Sequence, residues 1–557
     1  MTEPRETKLR DLREFLEDCA RRYGTKSAFR DKRDGIYQDI SYARYAKEAK
    51  ALALMLSSRI APGERVLIVG ENAYRWALSY MATILLGAVP VPVDDAMRTR
   101  DMVAIAKAAG ITAILYSPAE RRKRKALTGV TAVCFDKYPA LVTEGKRRLA
   151  SGDYAVPAPA LDPDGLATLF FTPGTVKGVM LSHQNILATL RNMGEMMAID
   201  TEDVFLSHLP LSHAYECVCG FLAPLYYGAT VAFAEGLHSL LTNMREIHPT
   251  CMVTLPFIAE ALYRKCMANI QKEGREARVR RYIAVSEPVR PLSVRQAMKE
   301  RLLARDRAYF GGNLRRMLIL GGAMDASVQK GLRRLGVLAV QGYGMTECAG
   351  LAALNRDDRY RDGAAGLAFP GTMLDIYNAQ PDGSGEIRYK GENVMLGYLN
   401  DPELTAKALN GGWYYTGDIG RIDDDGFLYI LGRRQNCIET LGGRLICPEA
   451  LERLLCQSPF IKEAVVVGTL NGETRDSEPA AVILPDETYA AEADAEAAID
   501  EWIAQINNEL PLYQQIGCYA LREKPFPKDA AGRVRRAAVA AEFAAEKRGY
   551  CNNLRRG

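Results

Sequence analysis

The chain has 557 residues, of which 48% are hydrophobic, so it is long enough to bury large cores in roughly two to four structural domains. Lysine and arginine (72) exceed aspartate and glutamate (68) by only 72 − 68 = 4, and this weak net charge argues against nucleic acid as the main partner. Composition therefore favours a globular protein that acts on a small molecule.

The cysteines and the N-terminal segment indicate a cytoplasmic protein. The twelve cysteines are scattered, and the closest pair, Cys217 and Cys219, has neither a CxxC spacing nor histidine-rich surroundings. The first residues are charged throughout and lack the apolar stretch of a signal peptide. The apolar stretch at 80–93 is short and has two prolines near its end, so it predicts a core helix followed by a strand.

Helical and strand patterns alternate in the first part of the chain. Helical spacing is found in LREFLEDCARRYG and NAYRWALSYMATILLGA, and buried strands are predicted at ERVLIVG, VPVPVD and ITAILYS. The same alternation returns between 229 and 344 in ATVAFAEG, PTCMVTLP, RRMLILGG and VLAVQGYG. The pattern predicts an α/β fold, with two packed layers of largely parallel sheet covered by helices.

The pattern of predicted secondary structure changes towards the C-terminus. A connector rich in Pro, Ala and Asp occupies 151–165, and from Gly371 shorter alternating segments predict a small β region. After 432–436, the helical patterns PEALERLLCQ and AAIDEWIAQINNEL and the strand patterns KEAVVVGTL and EPAAVILP predict a compact α+β unit. We therefore expect a large domain at 1–431 and a smaller one at 432–557.

The segment FFTPGTVKGVMLSH, 170–183, has the residue types of a phosphate-binding loop. Between a strand and a helix, glycine amides, threonine hydroxyls and a lysine suit a polyphosphate, because the amides approach closely and the ammonium neutralises charge. The spacing does not match GxxxxGK[ST], which excludes a P-loop kinase or ATPase. An ordinary turn is the alternative interpretation.

A second candidate segment is VQGYGMTECAG, 340–350, where a buried strand ends in Gly-Tyr-Gly. Ligands of α/β sheets bind at such carboxyl ends. Tyr343 has a ring that can stack on a base, Thr346 has a hydroxyl for a phosphate, and Glu347 has the oxygen ligands that Mg²⁺ prefers. The alternative is a tight turn with a helix-capping threonine.

A third segment, GGWYYTGDIGRIDDDGFLYILGRRQNCI, places Asp418 after a Thr-Gly turn and Arg433 after a later glycine. A fixed carboxylate accepts both ribose hydroxyls, and a nearby arginine donates to sugar or phosphate. The alternative is a solvated hairpin acid and a surface arginine.

Together with LPLSHAYE, LILGGAM and FPKDAAGRVRR, these segments have the order and approximate spacing of the AMP-forming acyl- and aryl-CoA synthetases. The chain resembles this adenylate-forming, or AMP-binding, family over nearly its whole length, and LPLSHAYE is most similar to the long-chain fatty acid subgroup. The resemblance implies that a fatty acid attacks ATP to give acyl-AMP and pyrophosphate, and that coenzyme A then displaces AMP. Fatty acid, ATP, Mg²⁺ and coenzyme A are thus the implied partners.

The resemblance also implies roles for individual residues. It places Tyr343, Gly344 and Gly322 at the adenine, Thr346 and Glu347 at phosphate and Mg²⁺, and Asp418 and Arg433 at the ribose. It places His213 where the acyl pocket meets the α-phosphate, Gly442 and Gly443 at the coenzyme A arm, and the hinge of a mobile C-terminal domain at 432–436, where Asn436 replaces an acidic residue.

Two motifs depart from the family pattern. The phosphate loop of the family reads TSGTTGxPKG, of which this chain matches Thr172, Gly174, Thr175, Lys177 and Gly178, with Pro173 for the serine and about three residues missing. Each lost hydrogen bond is worth about 0.5–1.5 kcal/mol, so weaker pyrophosphate handling is expected. The late motif has Arg533 in place of a lysine that bridges the substrate carboxylate and the α-phosphate, and a planar guanidinium does not reproduce an ammonium.

Two alternative functions remain open at this point. One is a degenerate relative that binds nucleotide or acyl ligand with little adenylation, and the other is an enzyme that passes the acyl group to a carrier-protein thiol. The basic run RRKRK, 121–125, allows peripheral contact with an anionic membrane or is a solvated face. The sequence leaves the acyl chain length and the oligomeric state undefined.

Overall fold

The computed structural model describes residues 8–152, 155–156, 160–172, 176–290, 292–470, 474, 476–487, 495–528, 534–546 and 552–553. Three candidate site residues, Gly174, Thr175 and Arg533, lie outside them. The chain divides into two compact units. The first comprises the described parts of Met1–Met373, Tyr389–Tyr414 and Gly426–Leu428, and the second those of Leu374–Arg388, Tyr415–Asp425 and Tyr429–Gly557.

The helices occur in both units. In chain order they are α1 (Leu12–Tyr23), α2 (Tyr42–Leu56), α3 (Tyr74–Leu85), α4 (Thr99–Ala109), α5 (Arg121–Arg124), α6 (Tyr138–Ser151), α7 (His183–Met196), α8 (Ala223–Tyr226), α9 (Leu240–Ile247), α10 (Pro256–Lys272), α11 (Glu276–Ser286), α12 (Leu292–Leu302), α13 (Ala304–Arg307), α14 (Ala326–Arg334), α15 (Pro402–Ala408), α16 (Pro448–Leu455), α17 (Ala495–Glu509) and α18 (Arg536–Glu546). A π-helix, Tyr215–Leu222, directly precedes α8.

The strands are short, as expected for a globular α/β protein. They are β1 (Ser27–Arg33), β2 (Ile36–Ser41), β3 (Arg65–Val69), β4 (Val89–Val93), β5 (Ala113–Tyr116), β6 (Thr131–Cys134), β7 (Leu166–Phe171), β8 (Gly178–Ser182), β9 (Val204–Ser207), β10 (Thr230–Phe233), β11 (Cys251–Thr254), β12 (Arg316–Ile319), β13 (Leu338–Tyr343), β14 (Ala353–Leu354), β15 (Leu367–Ala368), β16 (Met373–Tyr377), β17 (Gly385–Lys390), β18 (Gly397–Tyr398), β19 (Leu409–Asn410), β20 (Trp413–Ile422), β21 (Leu428–Arg433), β22 (Ile438–Glu439), β23 (Leu445–Ile446), β24 (Ile461–Leu470), β25 (Ser477–Pro485), β26 (Cys518–Leu521) and β27 (Asn552–Asn553).

The first unit contains a nine-stranded sheet with the order β15-β14-β13-β12-β11-β9-β10-β1-β2. The strands from β13 to β1 in this order are parallel, and β2, β14 and β15 are antiparallel additions at the edges. A second sheet, β4-β3-β5-β6, is parallel throughout. The structure thus confirms the predicted α/β class and each buried strand predicted between 65 and 343.

The four-stranded sheet shares an apolar core with a small antiparallel sheet, β18-β8-β7. Leu67, Val91 and Ile114 of the parallel sheet pack with Leu169 and Phe171 of β7, and each is at most 8% exposed. Burying such side chains contributes about 1.5–3 kcal/mol each. This packing fixes β7, and therefore the start of the candidate phosphate loop.

The apolar stretch at 80–93 forms the end of α3, a turn and β4, as the sequence predicts. Every residue of α3 except Arg75 is buried, and Trp76 stacks on Tyr80 with ring centroids 5.6 Å apart. None of the helices in the described part of the chain combines the length and hydrophobicity that a membrane crossing requires.

The second unit is built around the sheet β24-β25-β26-β27. One face packs on α16 and α17 through Leu451, Leu455 and Ile503, and the other packs on α18 through Val539 and Phe543. The predicted α+β character of this region is confirmed. The strands β16, β17, β19, β20 and β21 form a further, five-stranded sheet. The boundary predicted at 431/432 and the hinge at 432–436 stay predictions.

Candidate active site

Four neighbouring parallel strands of the nine-stranded sheet end at one edge. The order β13-β12-β11-β9 places the loops after these strands side by side. Tyr343 ends β13 and is followed by Gly344 and Glu347, Gly322 follows β12, and His213 follows β9. The carboxyl edge of a parallel sheet is where α/β proteins bind ligands, so the topology brings together residues that lie far apart in sequence.

The loop after β13 is held in one conformation. A Cβ atom at Gly344 would lie 2.2 Å from the carbonyl oxygen of Gly350, so this close approach requires glycine. The Asn393 amide donates to the carbonyls of Cys348, at 3.0 Å, and Leu351, at 2.7 Å. The C-terminal end of the 3₁₀ turn that carries Glu347, and the chain just after it, are therefore tied to a buried side chain.

Three of these loops touch each other through Tyr215. Its hydroxyl donates to the carbonyl of Gly344 at 2.5 Å, and a Cβ atom at Gly321 would lie 3.9 Å from its ring. Gly322 is exposed and borders Pro256, which begins α10 after β11. Tyr343, expected at the adenine, is 7% exposed. A ring this deeply buried presents little surface for stacking, unlike the exposed backbone at Gly322.

Lys177 and Glu347 form an ion pair, although 170 residues separate them. The Lys177 ammonium donates to Glu347 Oε1 at 2.8 Å, and the Tyr398 hydroxyl donates to the same oxygen at 2.9 Å. The ammonium also lies 4.5 Å from the centroid of the Tyr398 ring. Glu347 is 6% exposed and Lys177 32%, so a nearly buried carboxylate faces a partly accessible cation. The structure thus joins the two segments on which the nucleotide prediction depends.

The candidate phosphate loop connects two antiparallel strands. Phe171 of β7 pairs with Gly178 of β8, and the Thr172 amide donates to the Lys177 carbonyl at 3.2 Å. The expectation of a loop between a strand and a helix is therefore wrong, because VMLS forms β8 before α7 begins. The N-terminus of α7 is already capped by the Ser182 side chain, in a capping box with Asn185.

His213 is positioned by Asp94, which follows β4. His213 Nε2 lies 3.3 Å from Asp94 Oδ2, and the hydrogen bond from the imidazole lowers the pKa of the Asp94 carboxyl. Sequence reasoning missed Asp94, Tyr215 and Tyr398. Asp94 and Tyr215 each lie in the segment that follows a buried strand, a position from which a site residue could be predicted. No sequence pattern near Tyr398 indicates its contact with Glu347.

A buried glutamate follows directly after Tyr215. Glu216 lies on the π-helix, is 1% exposed, and has no hydrogen-bond partner for either carboxyl oxygen among the described residues. Burial raises its pKa to about 8. The carboxyl is therefore neutral at pH 7, and a π-helix often marks a functional position.

In the second unit, Asp418 and Arg433 are in contact. Arg433 Nε donates to Asp418 Oδ1 at 2.8 Å, and the carboxylate is 8% exposed while the guanidinium is 59% exposed. The Asp418 amide donates to the Thr416 hydroxyl at 3.1 Å, which in turn donates to the Ile387 carbonyl at 2.8 Å. Asp418 is therefore a fixed, paired carboxylate rather than a solvated hairpin acid.

Gly442 and Gly443 lie in the turn between β22 and β23. The turn is closed by a hydrogen bond from the Thr440 amide to the Arg444 carbonyl at 3.0 Å. Gly443 has φ +73°, which favours glycine, and both glycines are exposed. The Gly443 amide donates to the Thr440 carbonyl at 2.9 Å, so the turn offers a ligand an exposed backbone of fixed conformation.

The carboxylate of Glu347 is the predicted metal ligand. In the part of the chain that the structure describes, no three His, Cys, Asp or Glu side chains are grouped to hold a metal ion. Glu347 offers one carboxylate, of which Oε1 already accepts from Lys177 and Tyr398. This donor set fits Mg²⁺ when phosphate oxygens and water supply the remaining ligands, which is how proteins commonly hold this ion.

Comparison with known families agrees with this geometry. Residues 16–399 match the family described as AMP-binding enzyme, and residues 436–549 match the AMP-binding enzyme C-terminal domain. Since the first match alone spans more than half of the chain, this protein belongs to the AMP-binding enzyme family. The family predicted from the sequence motifs is confirmed.

Individual relatives and solved structures are similar to the chain over most of its length. The long-chain-fatty-acid–CoA ligase FadD15 of Mycobacterium bovis is 28% identical over 92% of this chain and 92% of its own. The long-chain-fatty-acid–CoA ligase ACSBG1 of Rattus norvegicus is 30% identical over 80% of this chain and 68% of its own. The structure of o-succinylbenzoate CoA synthetase (MenE) from Bacillus subtilis, in complex with an acyl-adenylate, has a TM-score of 0.73 at 21% identity and covers 94% of this chain and 97% of its own. The Mycobacterium tuberculosis fatty acyl CoA synthetase has a TM-score of 0.67 at 21% identity, with coverages of 97% and 99%.

The ion pair between Lys177 and Glu347 predicts coupled stability effects. Lys177→Met leaves a nearly buried carboxylate without its cation and should lower the free energy of unfolding by about 1–3 kcal/mol. Glu347→Gln removes that charge, so the double variant should lose about 1 kcal/mol less than the sum of the two single losses. Urea denaturation of the four proteins measures this coupling, and strictly additive losses would contradict the pair.

The buried carboxyl of Glu216 predicts a pH-dependent difference in stability. Its folded pKa, about 8, lies above its ordinary value of 4.5, so the folded state binds the extra proton between these values. This contribution is fully present below pH 4.5 and is lost as the pH rises to about 8. Glu216→Gln should therefore gain stability relative to the original protein across this range. Thermal unfolding of both proteins at several pH values measures the difference, and a constant difference would refute the assignment.

Proposed function

We propose that this chain is an ATP-dependent acid–thiol ligase that activates a long-chain fatty acid as acyl-AMP and transfers the acyl group to coenzyme A. The observation that carries the proposal is the 2.8 Å contact between Lys177 and Glu347 in a member of the AMP-binding enzyme family. It joins a phosphate-loop cation to a metal-ligating carboxylate at the carboxyl edge of the sheet. The similarity to two long-chain-fatty-acid–CoA ligases supports the substrate class.

In the first step, the chain positions reactants and neutralises charge. Lys177 lies beside the phosphates, and the Thr346 hydroxyl donates a hydrogen bond to one of them. Glu347 would hold Mg²⁺. The metal, when bound, withdraws charge from the phosphate oxygens. Gly322, Tyr343 and Gly344 border the adenine. No protein nucleophile is needed, because the substrate carboxylate is itself the attacking group.

His213 is the residue that we assign to the junction of the acyl pocket and the α-phosphate. Asp94 accepts the hydrogen bond from Nε2 and so fixes the orientation of the imidazole ring. A fixed ring contributes more than a mobile one, because the entropy of ordering it is lost on folding rather than during the reaction. Tyr215, two residues after His213, donates a hydrogen bond to the Gly344 carbonyl and so ties this segment to the loop after β13.

The second unit supplies the remaining assignments. Asp418 accepts from the ribose hydroxyls and Arg433 supports it, as their 2.8 Å contact suggests. The exposed turn that contains Gly442 and Gly443 binds the coenzyme A arm. We retain the division into domains at 1–431 and 432–557, with a hinge at 432–436, as part of this proposal.

A second candidate function is a relative that binds ligands but adenylates poorly. Arg533 favours it, because a guanidinium takes the position of the bridging lysine, and so does the shortened phosphate loop. Thioester formation from acyl-AMP does not need the lysine, so that half of the reaction would be retained. Transfer to a carrier-protein thiol differs from the main proposal in the acceptor alone.

Location and membrane contact stay predictions. A cytoplasmic location is consistent with the described cysteines, all of which are free thiols. In the basic run 121–125, Arg121 pairs with Asp136 and Lys123 with Glu120, each at 2.8 Å. These pairs reduce the charge that the run would offer to an anionic membrane.

Pyrophosphate release tests the main proposal. With ATP, Mg²⁺ and a panel of fatty acids, the purified protein should release pyrophosphate fastest with a long-chain acid. Lys177→Met should lower this rate by about tenfold or more, since one charged hydrogen bond to phosphate is worth about 1.5–3 kcal/mol. Lys107→Met, which changes an exposed lysine of α4, is the matched control and should leave the rate unchanged. No release with any acid of the panel would refute the proposal.

The two half-reactions separate the candidate functions. Arg533→Lys should raise the rate of pyrophosphate release, because it restores an ammonium for the first step, and should leave thioester formation from synthetic acyl-AMP and coenzyme A unchanged. Arg535→Lys, a change at an exposed position close by, should alter neither rate. Equal effects of Arg533→Lys on both half-reactions would contradict the role of this residue.

A further inference from the structure

Two thiols meet at the base of the glycine turn in the second unit. Cys437 directly precedes β22 and Cys447 directly follows β23, and these two strands pair antiparallel through Ile438 and Ile446. The cysteines are therefore the next opposed pair of the ladder. Their sulfur atoms lie 3.4 Å apart. Opposed positions in an antiparallel ladder have Cβ atoms about 4.5–5.5 Å apart, and a disulfide needs about 3.5–4.5 Å, so only a small closure of the ladder separates the two thiols from a disulfide.

Cys437 and Cys447 differ in solvent exposure and in the charges around them, which assigns them different roles in oxidation. Cys437 is half-buried and Cys447 is 9% exposed, so a small oxidant reaches Cys437 first. A hydrogen bond from Cys447 lowers the pKa of Cys437, and the charges of Arg434 and Arg536 act in the same direction, against burial and Glu449. The same hydrogen bond and burial raise the pKa of Cys447. Because Cys437 is the more accessible of the two sulfurs, we assign it as the nucleophile and Cys447 as the resolving thiol.

We propose that Cys437 and Cys447 form a dithiol that peroxide oxidises to a disulfide, closing the hairpin that carries Gly442 and Gly443. In the first step, the Cys437 thiolate attacks one oxygen of hydrogen peroxide. An S–O bond forms, the O–O bond breaks, and the other oxygen leaves as hydroxide, which takes up a proton to give water.

In the second step, the Cys447 sulfur attacks the Cys437 sulfenic acid. An S–S bond forms and the S–O bond breaks, and the leaving hydroxide takes the Cys447 proton as a second water. Both sulfurs are oxidised by one electron each and the peroxide is reduced by two. The sulfurs must approach by about 1.4 Å to reach a disulfide length, a movement that a two-residue ladder with an exposed turn permits.

The consequence for activity rests on the proposed function, in which this turn binds the coenzyme A arm. The disulfide joins both ends of the turn, so the turn loses conformational freedom. Thioester formation should slow, whereas acyl-AMP formation, which does not use the turn, should continue. Oxidation would thus uncouple the two half-reactions.

Peptide mapping tests the dithiol independently of activity. The reduced full-length protein is treated with hydrogen peroxide, alkylated with N-ethylmaleimide and digested, and the peptides are identified by mass spectrometry. We expect a cross-link between the peptides of Cys437 and Cys447 that dithiothreitol reverses. Cys437→Ser and Cys447→Ser should each abolish it, and Cys456→Ser, which removes an exposed thiol of the same unit, should retain it. Oxidation of Cys456 without this cross-link would overturn the proposal.

Rates of the half-reactions test the consequence. In the oxidised protein, thioester formation from synthetic acyl-AMP and coenzyme A should fall by about fivefold or more, with pyrophosphate release within about twofold of the reduced protein. The Cys437→Ser protein should show no such fall after peroxide. A cross-linked protein with an unchanged thioester rate would overturn the regulatory part. If the reduced protein forms no thioester at all, the proposed function fails, while the peptide map still decides whether the dithiol exists.

Discussion

The carboxylate of Glu347 is nearly buried, and the rest of the candidate site depends on how it is balanced. A buried carboxylate without a partner is costly, and here Lys177 and Tyr398 both donate to the same oxygen. Because Lys177 stands at the first position before β8, the pair ties the hairpin of β7 and β8 to the loop after β13. Glu347 follows a strand of the nine-stranded sheet, whereas Lys177 and Tyr398 belong to the region of the sheet β18-β8-β7, so this contact requires both sheets of the first unit.

Much of the fold could be predicted from the sequence, because buried parallel strands are continuous apolar runs between helical patterns. The strands at 65–69 and 251–254 are of this kind. The error at the phosphate loop has a local cause: VMLS is short enough to be taken for the start of the following helix, and only its pairing with β7 makes it a strand. A two-strand hairpin is specified by its partner as much as by its own residues.

The sequence indicates the candidate site residues one by one, but it does not indicate the contacts between them. Tyr343, Thr346 and Glu347 are neighbours in sequence, and a strand followed by glycines indicated them. The contacts of Tyr398 with Glu347 and of Asp94 with His213 depend on which strands lie side by side, and no local pattern encodes that order. Glu216 was missed for a similar reason, since burial, rather than its neighbours in the chain, gives it a neutral carboxyl at pH 7.

The same ion pair has an electrostatic consequence for ligand choice. Without ligand, Lys177 is largely neutralised by Glu347, so the site exerts little long-range attraction on anions in general. A phosphate without a bound cation can pair with Lys177 only if the ion pair between Lys177 and Glu347 is broken. Under the proposed function, a nucleotide that arrives with a divalent cation would give Glu347 a replacement counter-ion and would free Lys177 for phosphate. Counter-ion exchange of this kind discriminates against free anions, which are abundant in any cell, without a single steric contact.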